Sequence, residues 1–357
     1  MTSVTKGLGL GLIAAALTQV GASAAVQTGA SVPRPSPTPR RDVVPAPQDL
    51  RDQIMALGRA FDGKAGIAVI SLRDRWEIAW NANSLFPQQS CSKLWVAITA
   101  LDAVDHGKLN LNDKVTLGRS DLTLFHQPLR DKILGGGVTT TLGSLMFDAI
   151  TESDNTANDR LMRAVGGPQS VRDMIARKVL GSIRFYNGER ALQSRVAGLI
   201  WSQSYSIGNA FYAARNALPM AVRKAAFERY ISDPYDGASP HAIASALAAL
   251  KRGELLGPAS TARLLSTMGQ TRTGKLRVRA ALSPGWDWNH KTGTGQELNG
   301  RIGGINDIGL LTAPDGSVYA IAIMTIPSNN SDGAAQELMR NLAKAVIAAH
   351  AGRARTN

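Results

Sequence analysis

A single cysteine, Cys91, stands among the 357 residues, so no intrachain disulfide can staple the fold, which rests on its apolar core. No cysteine follows the N-terminal apolar segment to carry a lipid anchor. The five histidines show no metal-ligand spacing, and with no G-x-S-x-G elbow a Ser-His-Asp hydrolase has no support. Beyond residues 8–20 no apolar run resembles a membrane span, and there is no internal repeat. Acidic residues are scarce, 27 against 40 Lys and Arg, for a formal charge of +13. The mature body stays basic once residues 1–47 are set aside. Its basic residues are interspersed with acids rather than gathered in an arm or stripe, which argues against nucleic acid and for anionic envelope material or a substrate carrying a carboxylate.

What is present suits one large or two small globular domains, with 44% hydrophobic residues. Residues 1–24 read as an export signal: Lys6, an apolar run over 8–20 too short to span a bilayer, then the small-residue cleavage site Ala22-Ser23-Ala24. An uncleaved anchor is the alternative, and the absence of a charged stop-transfer flank speaks against it. Residues 25–47 form a Pro-rich linker, with six of the sixteen prolines between 33 and 47. The folded part runs over 48–350, and 351–357 is a tail.

Apolar spacing predicts a helix over 49–61 that lies on a sheet, and a hairpin from 67–72 and 76–80. Helical patterns dominate the middle, over 142–151, 157–165, 169–179, 210–230 and 240–251. Strands return over 301–312 and 318–326 around Pro314-Asp315-Gly316, and a helix closes the chain. This pattern predicts a sheet part of about 48–84 and 276–350, assembled from both ends, with a helical part of about 85–275 inserted.

Chemistry centres on Ser90 and Lys93. A three-residue spacing at a helix start stacks hydroxyl and amine on one face, placing a base beside a nucleophile too weak to act alone. The pattern by itself is weak, since Ser3-Val4-Thr5-Lys6 matches it too. Ser153-Asp154-Asn155 and Lys291-Thr292-Gly293, in that order and setting, change its standing. Cys91 beside Ser90 reads as packing material rather than as a reactive thiol. His290 reads as a strand residue rather than a triad base, and His126 as a surface residue. Gly269–Lys275 imitates a P-loop but lacks the Ser or Thr and the preceding strand.

With these three motifs the chain resembles the class A serine β-lactamases, within the penicillin-recognising serine hydrolases. Phe86-Pro87, Ala149-Ile150-Thr151, Thr156-Ala157 and Gly166-Gly167-Pro168 extend the similarity over roughly 48–350. The resemblance implies a β-lactamase/transpeptidase-like fold, an antiparallel sheet flanked by helices with an inserted helical domain. It implies a β-lactam hydrolase working through an acyl-serine. Ser90 is then the nucleophile, Lys93 or Glu189 its base, and Ser153 and Lys291 a proton relay. The backbone N–H groups of Ser90 and Thr294 hold the oxyanion, Asn155 the ligand's amide side chain, and Thr292, Thr294 and Arg301 its carboxylate. Phe125 stands at the cleft mouth. Arg301 has the surface as its alternative and Phe125 the core. Glu189, in Glu189-Arg190-Ala191-Leu192-Gln193, is the expected deacylation base, with a solvated loop charge as its alternative. Gln193 replaces the family's usual asparagine and puts the efficiency of deacylation in question.

A D,D-peptidase, or a binding or sensor protein of slow turnover, would keep the same fold and Ser90. No cofactor or metal is implied. The expected partner is a small β-lactam or a peptidoglycan stem peptide, and the expected state a periplasmic or secreted monomer. The separation of Glu189 from Lys291 exceeds the family's usual spacing, and the excess, between 201 and 236, is expected to prop or cover the catalytic loop and reshape one wall of the cleft.

Overall fold

Side chains along a strand alternate between two faces, and the strand Val318–Pro327 fills a core on each. Tyr319, Ile321 and Ile323 join Leu50 and Ile54 of the helix Gln48–Ala60 and Leu338, Leu342 and Val346 of the last helix, Asp332–Ala354. Ala320, Ala322 and Met324 face the opposite core, with Ile243 and Leu247 of the helix Pro240–Lys251. The computed structural model describes residues 44–329 and 332–354. The expected signal at 1–24 and the linker up to residue 43 lie outside the described residues.

Five strands form the main sheet in the order Glu77–Trp80, Gly63–Ser71, Val318–Pro327, Ile305–Thr312, Asp287–Thr294. Every neighbouring pair is antiparallel. The first two strands come from the start of the folded chain and the last three from its end. The intervening stretch is mainly helical and carries the second core, around the buried Trp95 and Leu101 of the helix Lys93–Asp105.

Local chemistry sets the ends of several helices. Asp154 accepts the N–H of Ala157 at 2.8 Å, starting Asn155–Ala164 two residues before the predicted onset. Ser239 accepts from Ala242 and Pro240 occupies the first turn of Pro240–Lys251. The helix expected over 210–230 is two helices, Ala210–Ala217 and Met220–Ser232. Pro219 has no N–H to donate, and its ring holds Leu218 extended at φ −73° and ψ 140°. The strand expected over 301–312 is likewise divided, into Arg301–Ile302 and Ile305–Thr312, at Gly303-Gly304.

Candidate active site

The segment before the nucleophile is held from three sides. Gln89 sits at φ +54° and donates its backbone N–H to Asp236 Oδ2 at 2.8 Å, while its side chain reaches the Gly303 carbonyl at 2.8 Å. Asn306 donates to the carbonyls of Pro87 and Gln88. On the third side the strand Asp287–Thr294 comes so close that a Cβ on Gly293 would lie 2.4 Å from the Gln88 carbonyl oxygen, so only glycine fits there. Ser90 is thereby fixed in a 3₁₀ turn, Gln89–Ser92, that leads directly into Lys93–Asp105.

Lys93 is wholly buried and is the hub of the site. Its Nζ donates to Ser90 Oγ at 2.6 Å and to Asn155 Oδ1 at 2.7 Å, and pairs with Glu189 Oε1 at 2.7 Å. Glu189 opens the short helix Glu189–Val196 and is buried too. Its position comes from Asp159, one helical turn beyond Asn155, whose carboxylate accepts the N–H groups of Glu189 at 2.8 Å and Arg190 at 3.2 Å. Gly188, at φ +87°, lets the chain pass Asp159 and Met162, where a Cβ would lie 2.6 Å from Met162 Cε. Burial pushes the Asp159 carboxyl above its ordinary range, and the charge of Glu189 adds to this.

Gln193 lies one turn beyond Glu189 and donates to Glu189 Oε2 at 3.2 Å. Its own carbonyl oxygen accepts from Gln296 Nε2 at 2.9 Å, and Gln296 also reaches the Gln193 backbone carbonyl at 2.8 Å. The longer side chain is thus anchored at both ends, which fixes which end of the amide faces Glu189.

On the other flank Lys291 Nζ donates to Ser153 Oγ at 2.9 Å. Ser153 reaches this place from a left-handed backbone conformation, φ +62°, between two helices. Burial first, and the charge of Lys93 second, pull the Lys291 ammonium down to about 7. Thr292 shares a hydrogen bond with Thr273 at 2.6 Å. Thr294 accepts from Arg277 Nη2 at 2.6 Å, and Arg277 also holds the carbonyls of Gly293 and Asn306.

Arg301 is not part of this cluster. The turn at Asn299 and Gly300, both at positive φ, directs it to Glu228 of the helix Met220–Ser232, in a two-pronged pair at 2.9 Å. The guanidinium expected from Arg301 beside Thr294 comes from Arg277. Cys91 is buried packing: its thiol is pushed up to about 12 by burial, and its Sγ lies 3.6 Å from the Lys291 carbonyl oxygen. His290 is buried in its strand against Asp307, at 2.7 Å. His126 is exposed and bonds the Glu152 carbonyl.

Ser90, Asn155, Gln193, Thr294 and Gln296 line a cleft of about 480 Å³. Phe125 stands on its rim, 37% exposed and edge-on to Phe211. Tyr212 and Arg215 complete a wall, so the excess segment does reach the cleft. A larger groove, about 630 Å³, between residues 178–182 and the helix Pro240–Lys251 contains none of the motif residues. Sequence reading missed Asp159, Asp236, Arg277, Gln296, Tyr212 and Arg215. Only Asp159 had a signal, a polar residue four positions after Asn155 on a helix face otherwise meant for the core.

A serine at the foot of a buried lysine, two further lysine–hydroxyl and lysine–carboxylate contacts, and a sheet closed from both chain ends around a helical insertion define the active-serine class of penicillin-recognising folds. The chain belongs to the β-lactamase enzyme family, whose model matches residues 49–350. It is 27% identical over 296 residues to the extended-spectrum β-lactamase PER-1 of Pseudomonas aeruginosa, covering 83% of this chain and 85% of that one. Among solved structures, a β-lactamase from Chitinophaga pinensis superposes with a TM-score of 0.69 at 25% identity, over 85% of this chain and 99% of that one. A variant of the class A β-lactamase of the last common ancestor of Gram-negative bacteria superposes with a TM-score of 0.67 at 27% identity, again over 85% and 99%.

Proposed function

We propose that this chain is a serine β-lactamase that opens β-lactams through an acyl-enzyme on Ser90. One observation carries the reading: Lys93 Nζ touches Ser90 Oγ and Glu189 Oε1 at once, at 2.6 and 2.7 Å. This contact joins the acylating and the deacylating halves of a two-step hydrolysis. Ser90 Oγ bonds to the lactam carbonyl carbon while its proton passes to Lys93, or through a water to Glu189. The C–N bond then breaks, and the leaving nitrogen takes a proton along Lys291 and Ser153. The N–H groups of Ser90 and Thr294 hold the oxyanion. Thr292 and Thr294, backed by Arg277, take the substrate carboxylate. Glu189 then activates the water that frees Ser90, with Gln193 in the place of the family's usual asparagine.

The N-terminal segment supports export, and with it a periplasmic or secreted enzyme working as a monomer. No described helix is long and apolar enough to cross a membrane. Mixing the protein with a chromogenic cephalosporin and taking the intact mass tests the assignment. Wild type is expected to turn over without a lasting adduct, Ser90→Ala to form none, and Glu189→Ala to accumulate the acyl-enzyme. Glu189→Ala should lose about 10²–10⁴ in turnover. Unchanged turnover in either variant contradicts the assignment, and a stable wild-type adduct turns the reading towards a peptidase or a sensor.

A further inference from the structure

The helix Ala210–Ala217 is pinned to the cleft by Phe211, which is buried with Leu124 and Ala197. Phe211 meets Phe125 edge-on at 5.1 Å and Tyr212 at 5.5 Å, and Phe125 meets Tyr212 at 6.3 Å. Two of these rings, Phe125 and Tyr212, are exposed on the cleft, so they offer a planar group an aromatic surface.

Arg215 extends the same surface. Its guanidinium carbon lies 5.3 Å from the Tyr212 ring centre and 5.9 Å from that of Phe211. Its Nε is buried and has no hydrogen-bond partner. Arg301, in the adjoining turn region, is paired with Glu228, whereas no carboxylate among the described residues lies within 4.0 Å of Arg215, which unlike the equally unpaired Arg223 lines the cleft. A guanidinium held in place, half desolvated and without a counter-charge favours an anion. Glu297, on the short strand Glu297–Leu298 that pairs with Arg301–Ile302, also lines the cleft, and its like charge steers that anion towards Arg215.

We infer that Phe125, Tyr212 and Arg215 form a side-chain subsite that selects β-lactams whose acyl side chain joins a planar ring to an anionic group. The inference rests on the hydrolase reading above and adds a substrate class to it. The ring stacks on Phe125 and Tyr212 while the anion takes paired N–H donors from Arg215. The nucleus carboxylate stays with Thr294 and Arg277, so one substrate engages two guanidinium groups at separate ends of the cleft.

Two cephalosporins with one nucleus and a phenyl-bearing acyl side chain, differing only in a side-chain carboxylate or its methyl ester, test this. The quantity read is the ratio of kcat/KM for acid over ester. Arg215→Gln is expected to lower that ratio about 10-fold, the low end for a charge-assisted contact because the site is half exposed. The loss should fall on KM, Arg215→Lys should restore part of it, and in wild type alone raised salt should shrink the ratio. A ratio unchanged within twofold, or equally salt-sensitive in Arg215→Gln, overturns the subsite. A general loss of fold lowers both substrates together and leaves the ratio in place. The Kd values of both compounds for Ser90→Ala, with and without Arg215→Gln, read the same preference without turnover. If wild type hydrolyses neither compound, the hydrolase reading fails, and the Kd ratio alone upholds or overturns the subsite.

Discussion

Replacing Tyr230 by phenylalanine removes one hydroxyl from the support beneath the nucleophile. Tyr230 and Asp236 are buried, and Tyr230 Oη donates to Asp236 Oδ1 at 2.9 Å while Asp236 Oδ2 holds the Gln89 N–H at 2.8 Å. Burial pushes the Asp236 carboxyl up to about 7, against the lowering effect of the Tyr230 hydrogen bond. An unfolded aspartate titrates near ~3.9, so between about pH 4 and 7 the native state keeps a proton that the unfolded state has released. Stability therefore falls as pH rises through that window, by roughly 1.4 kcal/mol per unit from this group. Above it the carboxylate is a buried anion that depends on its two donors. Losing one then costs about 1.5–3 kcal/mol, against about 0.5–1.5 kcal/mol for the neutral carboxyl below the window. Urea denaturation of wild type and Tyr230→Phe at pH 5 and pH 8 isolates the difference, because the other groups cancel between the two proteins at each pH. The destabilisation is expected to be larger at pH 8 by about 1 kcal/mol or more. Equal losses at both pH values would refute the reasoning.

Lys291 has its native pKa pulled down to about 7, so above that pH the native state has lost a proton that the unfolded state keeps to about 10.4. Stability from this group rises with pH over that window, while the proton that Lys291 passes through Ser153 to the leaving nitrogen is lost. An alkaline fall in kcat/KM near pH 7 is expected, and Lys291→Arg, which neither loses nor relays a proton there, should lower the rate and leave it without that fall; persistence of the fall would assign it to another group. Arg277→Ala is expected to raise KM for a β-lactam about 10- to 100-fold, and Arg301→Ala by less than about threefold. Steady-state kinetics showing the reverse order would return the carboxylate to Arg301.

Short-range chemistry was legible in the chain itself. The spacing of Ser90 and Lys93 means contact in any helical start, and the Asp154 cap and the Ser239-Pro240 start follow from the local needs of a helix terminus. The break at Leu218-Pro219 was missed by the reading of one helix over 210–230, although a proline inside a helical pattern outweighs apolar spacing and could have announced it. Arg277 was not legible, since nothing near Val278 announces that its guanidinium ends beside Thr294. Arg301 went the other way: its place in sequence suggested the cleft, but the turn at Asn299 and Gly300 handed it to Glu228.

By itself the sequence determined the family, the division into a sheet built from both chain ends and a helical middle, and the motifs that carry Ser90, Lys93, Ser153 and Lys291, because each motif needs only a few neighbouring residues to take its shape. The tertiary structure alone decided which distant polar groups share a buried volume. Asp159 under Glu189, Asp236 under Gln89, Gln296 against Gln193, and Tyr212 with Arg215 on the cleft wall are meetings between segments far apart in the chain. Their physical reason is long-range: a buried polar group must find a partner wherever the packed core brings one within reach. That partner is set by how whole elements dock, which local spacing does not record.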